Sequence, residues 1–162
     1  MNSSGSTEKR RFVDKDTLFS IDVPDGWLVD TSGQRGSKVI LLNPQTENNF
    51  RANVNVVVQA LDPLTAEEFL TLSRLQLKQF SGQSELDLDA PAERPRGGHV
   101  FEYTVHHQQI SPMPLKVRQV IYVAEDKAYI VTGTATLVRF EFYRNDIENV
   151  LESFQIASDA AS

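Results

Sequence analysis

The chain has 162 residues, which is enough for one ordinary domain. Of these residues 40% are hydrophobic and 23% are charged, a composition typical of a globular protein. Its 16 basic and 22 acidic side chains give a net charge of −6, which disfavours nucleic-acid binding because phosphate contacts need a basic surface. The absence of cysteine excludes disulfides, thiolate nucleophiles and thiolate-ligated metal centres. No apolar run approaches the roughly 20 residues that span a bilayer, so we expect a soluble domain.

Residues 1–16 are predicted to be a flexible segment. Residues 1–7 are small and polar, and the charged residues 8–11 follow without the apolar core of a secretory signal peptide. Two origins remain open: the natural start of a cytosolic protein, or the spacer left after removal of a leader that ended in a lipid-modified cysteine. In the second case, membrane association would depend on the missing N-terminal lipid anchor. We expect one domain over residues 17–156 and a frayed tail over residues 157–162.

Short strands are predicted to dominate the first part of the domain. Residues 19–23 alternate apolar and polar side chains, which is the period of a half-buried strand. Residues 24–26 predict a turn, after which Trp27 is expected to enter the core. Residues 39–42 and 53–59 predict two further strands.

A helix is predicted to begin at Thr65, because Thr65 and Glu68 have the spacing of a capping box. Leu70 lies beside its main apolar stripe. The stripe recurs every two to three residues and is expected to form the buried side of the helix, as follows: Phe69, Leu72, Leu75, Leu77 and Phe80.

The rest of the domain is predicted to be an antiparallel meander that ends in a helix. A hairpin turn is expected at residues 125–127, and Phe142 lies off the apolar stripe of the final helix. Four runs have strand composition: 85–89, 99–107, 116–123 and 128–134. The stripe of the final helix is Phe140, Tyr143, Ile147, Val150, Leu151 and Phe154. The predicted fold class is therefore α+β, with an antiparallel β-sheet flanked by two main helices.

The order of these elements resembles PsbP-like domains. The start, Phe19-Ser20-Ile21-Asp22-Val23-Pro24-Asp25-Gly26-Trp27, is similar to their strand, proline turn and Gly-Trp segment. The C-terminal part of PsbP-like domains is similar to three segments of this chain: residues 118–123, residues 128–135 and a helix that ends at Leu151-Glu152-Ser153-Phe154. The similarity extends over Leu18 to Ile156 and points to the bacterial branch of DcrB-type lipoproteins and Eag chaperones of type VI secretion. It implies a PsbP-like α/β/α sandwich with a non-enzymatic accessory role, and it carries over no catalytic residue.

Candidate chemical sites are few. His106 and His107, together with Glu102, form the best cluster for a divalent metal. Adjacent residues of a strand point to opposite faces, so one strand cannot direct both imidazoles at one ion, and we predict no metal and no cofactor. Asp87 and Asp89 share a strand face and are expected to form a solvated edge. The chain has no Gly-x-Ser-x-Gly elbow, and no catalytic residue is predicted.

Three further features concern surfaces. Residues 33–38 lack the spacing of a phosphate loop and precede a strand, so we interpret them as a surface loop. Arg118 lies in a strand and is either a buried partner for a carboxylate or exposed. Leu70 and Phe142 lie off the buried stripes, and they are the candidate residues for a surface that contacts a partner.

The sequence predicts a binding protein and not an enzyme. The leading hypothesis is an accessory, lipoprotein-type domain of the cell envelope, periplasmic or extracytoplasmic, whose sheet face or cleft recognises a protein partner or an apolar ligand. The loops at residues 33–36 and 93–98 would supply adaptable edges. The alternative is a cytosolic chaperone or adaptor of the Eag kind that shields apolar segments of a secreted effector. A metal-dependent enzyme that uses His106 and His107 is the third hypothesis.

Overall fold

The computed structural model describes residues 10–46, 49–80, 98–105 and 113–156, with the side chains of residues 77–80 excepted. These ranges contain nine β-strands and two α-helices, and they confirm the predicted α+β class. The strands are β1 (Arg10–Asp14), β2 (Phe19–Val23), β3 (Leu28–Asp30), β4 (Val39–Leu42), β5 (Asn53–Ala60), β6 (His99–Val105), β7 (Leu115–Ala124), β8 (Lys127–Thr136) and β9 (Gln155–Ile156). The helices are α1 (Ala66–Phe80) and α2 (Phe140–Ser153), and short 3₁₀ turns lie at Gln34–Gly36 and Leu137–Arg139.

The strands form two antiparallel sheets, whereas the sequence predicted one. The main sheet has six strands in the order β3-β4-β5-β8-β7-β6, and the small sheet has three in the order β1-β2-β9. The hairpin predicted at residues 125–127 is confirmed, because β7 and β8 pair from Ala124 and Lys127 across their full lengths. The second sheet escaped prediction because β9 is only two residues long and β1 is highly charged.

Side-chain alternation divides the main sheet into two faces. In β7, Val120 and Tyr122 join the large core that contains α2, and we name this side the α2 face. Val117 and Ile121 point the other way into a smaller core with Phe69 of α1, and we name that side the α1 face. The two helices therefore cover opposite faces of the main sheet, as the α/β/α sandwich predicts.

The large core lies between the α2 face, the helix α2 and the small sheet. Phe154 joins these layers, since its ring stacks on Phe19 of the small sheet at 5.5 Å and on Tyr122 of the main sheet at 5.1 Å between centroids. Trp27 is buried with 3% exposure, as predicted. The buried residues of α2 are the predicted stripe: Phe140, Tyr143, Ile147, Val150 and Leu151.

Strand β1 corrects the boundary of the N-terminal segment, because it lies within residues 1–16, which were predicted to be flexible. It pairs with β2 from Arg10↔Val23 to Asp14↔Phe19. Side-chain contacts reinforce the ladder: Arg11 forms an ion pair with Asp22, and its Nη2 donates to the carbonyl of Ser153 at 2.8 Å. The sequence did not predict this strand because three of its five residues are charged: Arg10, Arg11 and Asp14.

The capping box at the start of α1 is confirmed. The backbone N–H of Thr65 donates to Glu68 Oε1 at 2.9 Å, and the N–H of Glu68 donates to Thr65 Oγ1 at 3.1 Å. Each side chain thus satisfies a backbone N–H that has no partner within the helix.

The predicted buried stripe of α1 is wrong at two positions. Phe69 is buried and Leu70 packs half-buried against the smaller core, whereas Leu72 and Leu75 are 43% and 52% exposed. A spacing of three residues falls about 60° short of a full turn, so Leu72 and Leu75 rotate progressively away from the face of Phe69. Ser73, four residues after Phe69, is partly buried in their place.

Candidate functional site

Arg118 is a partner for two carboxylates, which resolves the two options left open by the sequence. The register of β6 and β7 places Glu102 opposite Arg118 on the α2 face. Arg118 Nη1 donates to Glu102 Oε1 at 2.8 Å, and its Nε donates to Glu148 Oε1 of α2 at 2.6 Å. The side chain of Arg118 is 17% exposed, so its ion pair with Glu148 connects α2 to the sheet at a largely buried position.

Glu102 is the centre of the resulting charge network. Besides Arg118, it lies 3.2 Å from Lys116 Nζ and 3.4 Å from Arg144 Nη1. Burial alone would raise the pKa of Glu102, but hydrogen bonds from Arg144, Arg118 and Lys116 outweigh it and hold that pKa below its ordinary value of 4.5. The carboxylate of Glu102 is thus already paired with three cationic side chains, which argues against its suggested role as a metal ligand together with the histidines.

The other candidate metal ligands lie beyond what the structure describes. His106, His107, Asp87 and Asp89 fall outside the described residues, as does most of the loop predicted at residues 93–98. His99 is the exposed first residue of β6. The described part of the chain contains no group of three or more His, Asp or Glu side chains that could hold a metal ion. It also contains no helix with the length and apolarity to cross a bilayer.

Three exposed apolar residues lie within six positions of one another at the start of α2. Leu137, Val138 and Phe142 are 42%, 68% and 66% exposed. The ring of Phe142 packs edge-on against Tyr143, with 5.0 Å between centroids, and the guanidinium carbon of Arg139 lies 4.4 Å above it. We call this the Phe142 patch. Its central ring is held in place although most of it faces solvent.

The two predicted partner-contacting residues do not lie together. Phe142 belongs to the patch on α2, whereas Leu70 is half-buried on α1 against the smaller core. They therefore lie on opposite sides of the main sheet, and Phe142 is the more accessible of the two.

A cavity of about 420 Å³ lies over β4 and β5 on the α1 face. Its apolar wall consists of Ile40 and Leu42 of β4 and Val57 of β5. Asn53 and Asn55 alternate along β5 with the buried valines and face the cavity, because the register sets them opposite Leu42 and Ile40. The sheet thus provides a rigid floor of mixed polarity.

Two loops form the rim of this cavity. The predicted surface loop at residues 33–38 contributes Arg35, whose backbone is left-handed with φ 57°, between Gly33 and Gly36 with φ 89° and 73°. Arg51 comes from the loop between β4 and β5, and its Nη1 donates to the carbonyl of Pro44 at 2.8 Å. The loop is predictable from its sequence, but the cavity is not, because it forms only where the two loops meet the sheet.

Comparison with known proteins assigns this fold to a family. Residues 7–156 match the PsbP family model. The solution structure of the cyanobacterial PsbP protein CyanoP from Synechocystis sp. PCC 6803 is 17% identical, with 96% of each chain covered and a TM-score of 0.65. LpqN, involved in cell envelope biogenesis of Mycobacterium tuberculosis, is 12% identical, with 93% of this chain and 91% of LpqN covered and a TM-score of 0.67.

A third structure extends the comparison to a eukaryote. The Ran-binding protein Mog1p of Saccharomyces cerevisiae is 10% identical, with 93% of this chain and 96% of Mog1p covered and a TM-score of 0.59. At these identities the similarity shows the fold alone, and no curated protein sequence matches the chain significantly. The narrower resemblance to DcrB-type and Eag proteins stays a prediction. The family match spans almost the whole chain, and the protein therefore belongs to the PsbP family.

Proposed function

We propose that this protein is a non-enzymatic accessory domain of the cell envelope that binds a protein partner through the Phe142 patch. The observation that carries the proposal is that Phe142 is 66% exposed while its ring is fixed against Tyr143 and Arg139. An aromatic side chain that is already ordered loses little conformational entropy on binding, and aromatic side chains are the preferred anchors of protein interfaces.

The composition around Phe142 supports a protein interface. Val138 and Leu137 add to the exposed apolar area, and the charged side chain of Arg139 lies against the ring of Phe142. An apolar centre with a polar rim is the usual organisation of a protein–protein contact. Exposed apolar patches of this kind mark interaction sites more often than scattered single residues do.

The relatives support the accessory role and the location. LpqN is involved in cell envelope biogenesis, and Mog1p binds the protein Ran. From LpqN we infer a location in the cell envelope for this chain, and from Mog1p we infer a protein partner. The polar residues 1–7 would then connect the domain to a lipid anchor at the membrane.

Affinity capture from an envelope extract tests the partner surface. The tagged wild type should retain a protein that Phe142→Ala binds at least about tenfold less, because an anchor residue of an interface contributes on the order of 1.4 kcal/mol or more. Leu75→Ala is the matched control, since it shortens an exposed leucine, 52% accessible, on the other side of the main sheet. Equal capture by wild type and Phe142→Ala, with both proteins folded, would contradict the proposal.

The alternative function is a cytosolic chaperone that shields apolar helices of a secreted effector. Leu72 and Leu75 favour it, because they expose a second apolar strip along α1. The same capture experiment separates the two functions: a chaperone would retain an apolar helix from a cytosolic extract, and Leu72→Ala with Leu75→Ala would release it while Phe142→Ala would not.

A further inference from the structure

Among the described residues that line the cavity on the α1 face, the charged ones are basic, whereas the whole chain is acidic. The protein carries a net charge of −6. Among the described residues, however, the cavity is lined by Arg35 and Arg51 and by no carboxylate. Two guanidinium groups beside an apolar wall make this a local basic site on an acidic protein, and the arginine fork is the geometry that binds oxyanions.

The two arginines are held differently. Arg51 Nη1 donates to the carbonyls of Asn43 and Pro44 at 3.3 and 2.8 Å, so these contacts position the guanidinium without neutralising its charge. Arg35 is exposed at the rim and has no hydrogen bond or ion pair with another described residue. Its left-handed backbone, φ 57°, is a conformation that glycine and asparagine adopt more easily than arginine.

The sheet register places the acidic residue Asp30 next to the cavity. Asp30 of β3 lies opposite Ile40, and its Oδ1 accepts a hydrogen bond from the N–H of Ser32 at 2.8 Å. Asp30 does not line the cavity, and it is neutralised by neither arginine in the described contacts. It therefore offers a charged control position next to the basic site.

The apolar wall of the cavity can contact the apolar part of a ligand. Ile40, Leu42 and Val57 are partly exposed to the cavity, and Asn55 lies among them with no hydrogen bond from its side chain to another described residue. The volume of about 420 Å³ falls within the range of about 300–1,000 Å³ that small-molecule sites occupy.

We propose that this cavity binds a small anionic amphiphile. Its oxyanion, a carboxylate or a phosphate, pairs with Arg35 and Arg51, and its apolar body lies against Ile40, Leu42 and Val57. Asn55 supplies a hydrogen bond that orients the junction between the two parts. The inference goes beyond the proposed protein contact and is independent of it, because the Phe142 patch lies on α2, which covers the opposite face of the main sheet.

Titration followed by ¹H–¹⁵N NMR tests the ligand class with three probes: octanoate, octyl phosphate and 1-octanol. We expect saturable shifts at Arg35, Asn55 and Val57 with at least one of the two anions. Octanol, which lacks the charge, should bind at least about tenfold more weakly, since an ionic hydrogen bond contributes that much or more. The ratio of the two anion affinities identifies the headgroup. Equal binding of octanol, or no saturable shift with either anion, would overturn the proposal.

Variants of Arg35 make the test specific. Arg35→Asn removes the charge, breaks no described contact and places at the left-handed position a residue that tolerates it, so the fold should be retained. Anion affinity should fall about tenfold while octanol binding stays the same. Arg51→Lys, which keeps the charge but loses the fork, should weaken the anion less.

Asp30→Asn is the matched control for charge. Removing the bordering carboxylate should leave anion affinity unchanged or increase it by a small factor. A loss of anion binding in Asp30→Asn, or unchanged binding in a folded Arg35→Asn, would show that the arginines do not define the site.

Discussion

The two faces of the main sheet are made by the same strands but have opposite character. In β5, Val54 and Val56 are completely buried on the α2 face, whereas Asn53 and Asn55 point to the α1 face and stay partly exposed. Because side chains alternate along a strand, β5 has one buried face and one partly solvent-exposed face. The face that stabilises this fold and the face that carries its cavity can therefore be altered separately.

The contrast continues through the centre of the sheet. Val120 and Val131 pair on the α2 face and are fully buried. On the α1 face, the neighbouring pair is Gln119 and Thr132, whose side chains are joined by a 2.9 Å hydrogen bond from Nε2 to Oγ1. A hydrogen-bonded polar pair thus lies on the α1 face directly beside two buried valines on the α2 face.

The largest expected effect comes from the aromatic junction of the α2 face. Phe154→Ala should lower the free energy of unfolding by about 3–5 kcal/mol, because it removes a side chain that is 3% exposed and packed between the two sheets. Leu75→Ala on α1 should change it by less than about 0.5 kcal/mol, since that side chain faces solvent. Urea denaturation of both variants measures the difference. Similar losses for the two would break the comparison.

Gly133 tests how closely α2 packs on the sheet. A Cβ at this position would overlap Cγ2 of Ile147, so Gly133→Ala should cost about 1–3 kcal/mol through overpacking. The same substitution in an Ile147→Ala background should cost much less, because the overlapping methyl group is gone. A double-mutant cycle measures this coupling, and additive losses would show that the contact does not limit the packing.

The charge network on the α2 face should have a smaller effect. Glu102→Gln leaves Lys116, Arg118 and Arg144 without their shared carboxylate, and we expect a loss of about 1–2 kcal/mol at neutral pH. Glu141→Gln is the control, because the side chain of Glu141 is 72% exposed and contacts only the outer edge of the network. Its effect on the free energy of unfolding should be smaller.

The pH dependence of the same variant sharpens the test. The pKa of Glu102 is below 4.5 in the folded protein, so the unfolded chain takes up this proton first as the pH falls. The stabilisation by Glu102 is complete above that ordinary value and is lost as the pH falls through the folded pKa. The difference between wild type and Glu102→Gln should therefore shrink as the pH falls below 4.5 and through the lower pKa of the folded protein. A constant difference would contradict the assignment.

Sequence periodicity predicted the buried residues of the α2 face better than those of the α1 face. The stripe from Phe140 to Leu151 and the burial of Trp27 follow from local patterns, and the structure confirms them. The exposure of Phe142 agrees with its position off that stripe, but its role in binding stays a prediction. On α1, Leu72 and Leu75 were misplaced because apolar spacing alone does not give the rotation of a helix on its sheet.

The cavity could not be predicted because its parts are distant in the chain and meet only through the sheet register. One local signal was available: Asn53 and Asn55 alternate with valines in a strand that the sequence identified, which indicates a polar face in the middle of the sheet. The glycines on either side of Arg35 indicated a tight turn but not which residues it would face.

The small sheet has a mechanical consequence for a domain that is pulled at its two ends. Strands β1 and β9 run in the same direction on either side of β2, with Arg10 beside Val23 at one end and Ile156 beside Phe19 at the other. Tension between these two positions would slide the outer strands past β2 and strain their hydrogen bonds together, since those bonds lie across the strands. The ladder would resist such a pull by shear and would not be peeled open one bond at a time.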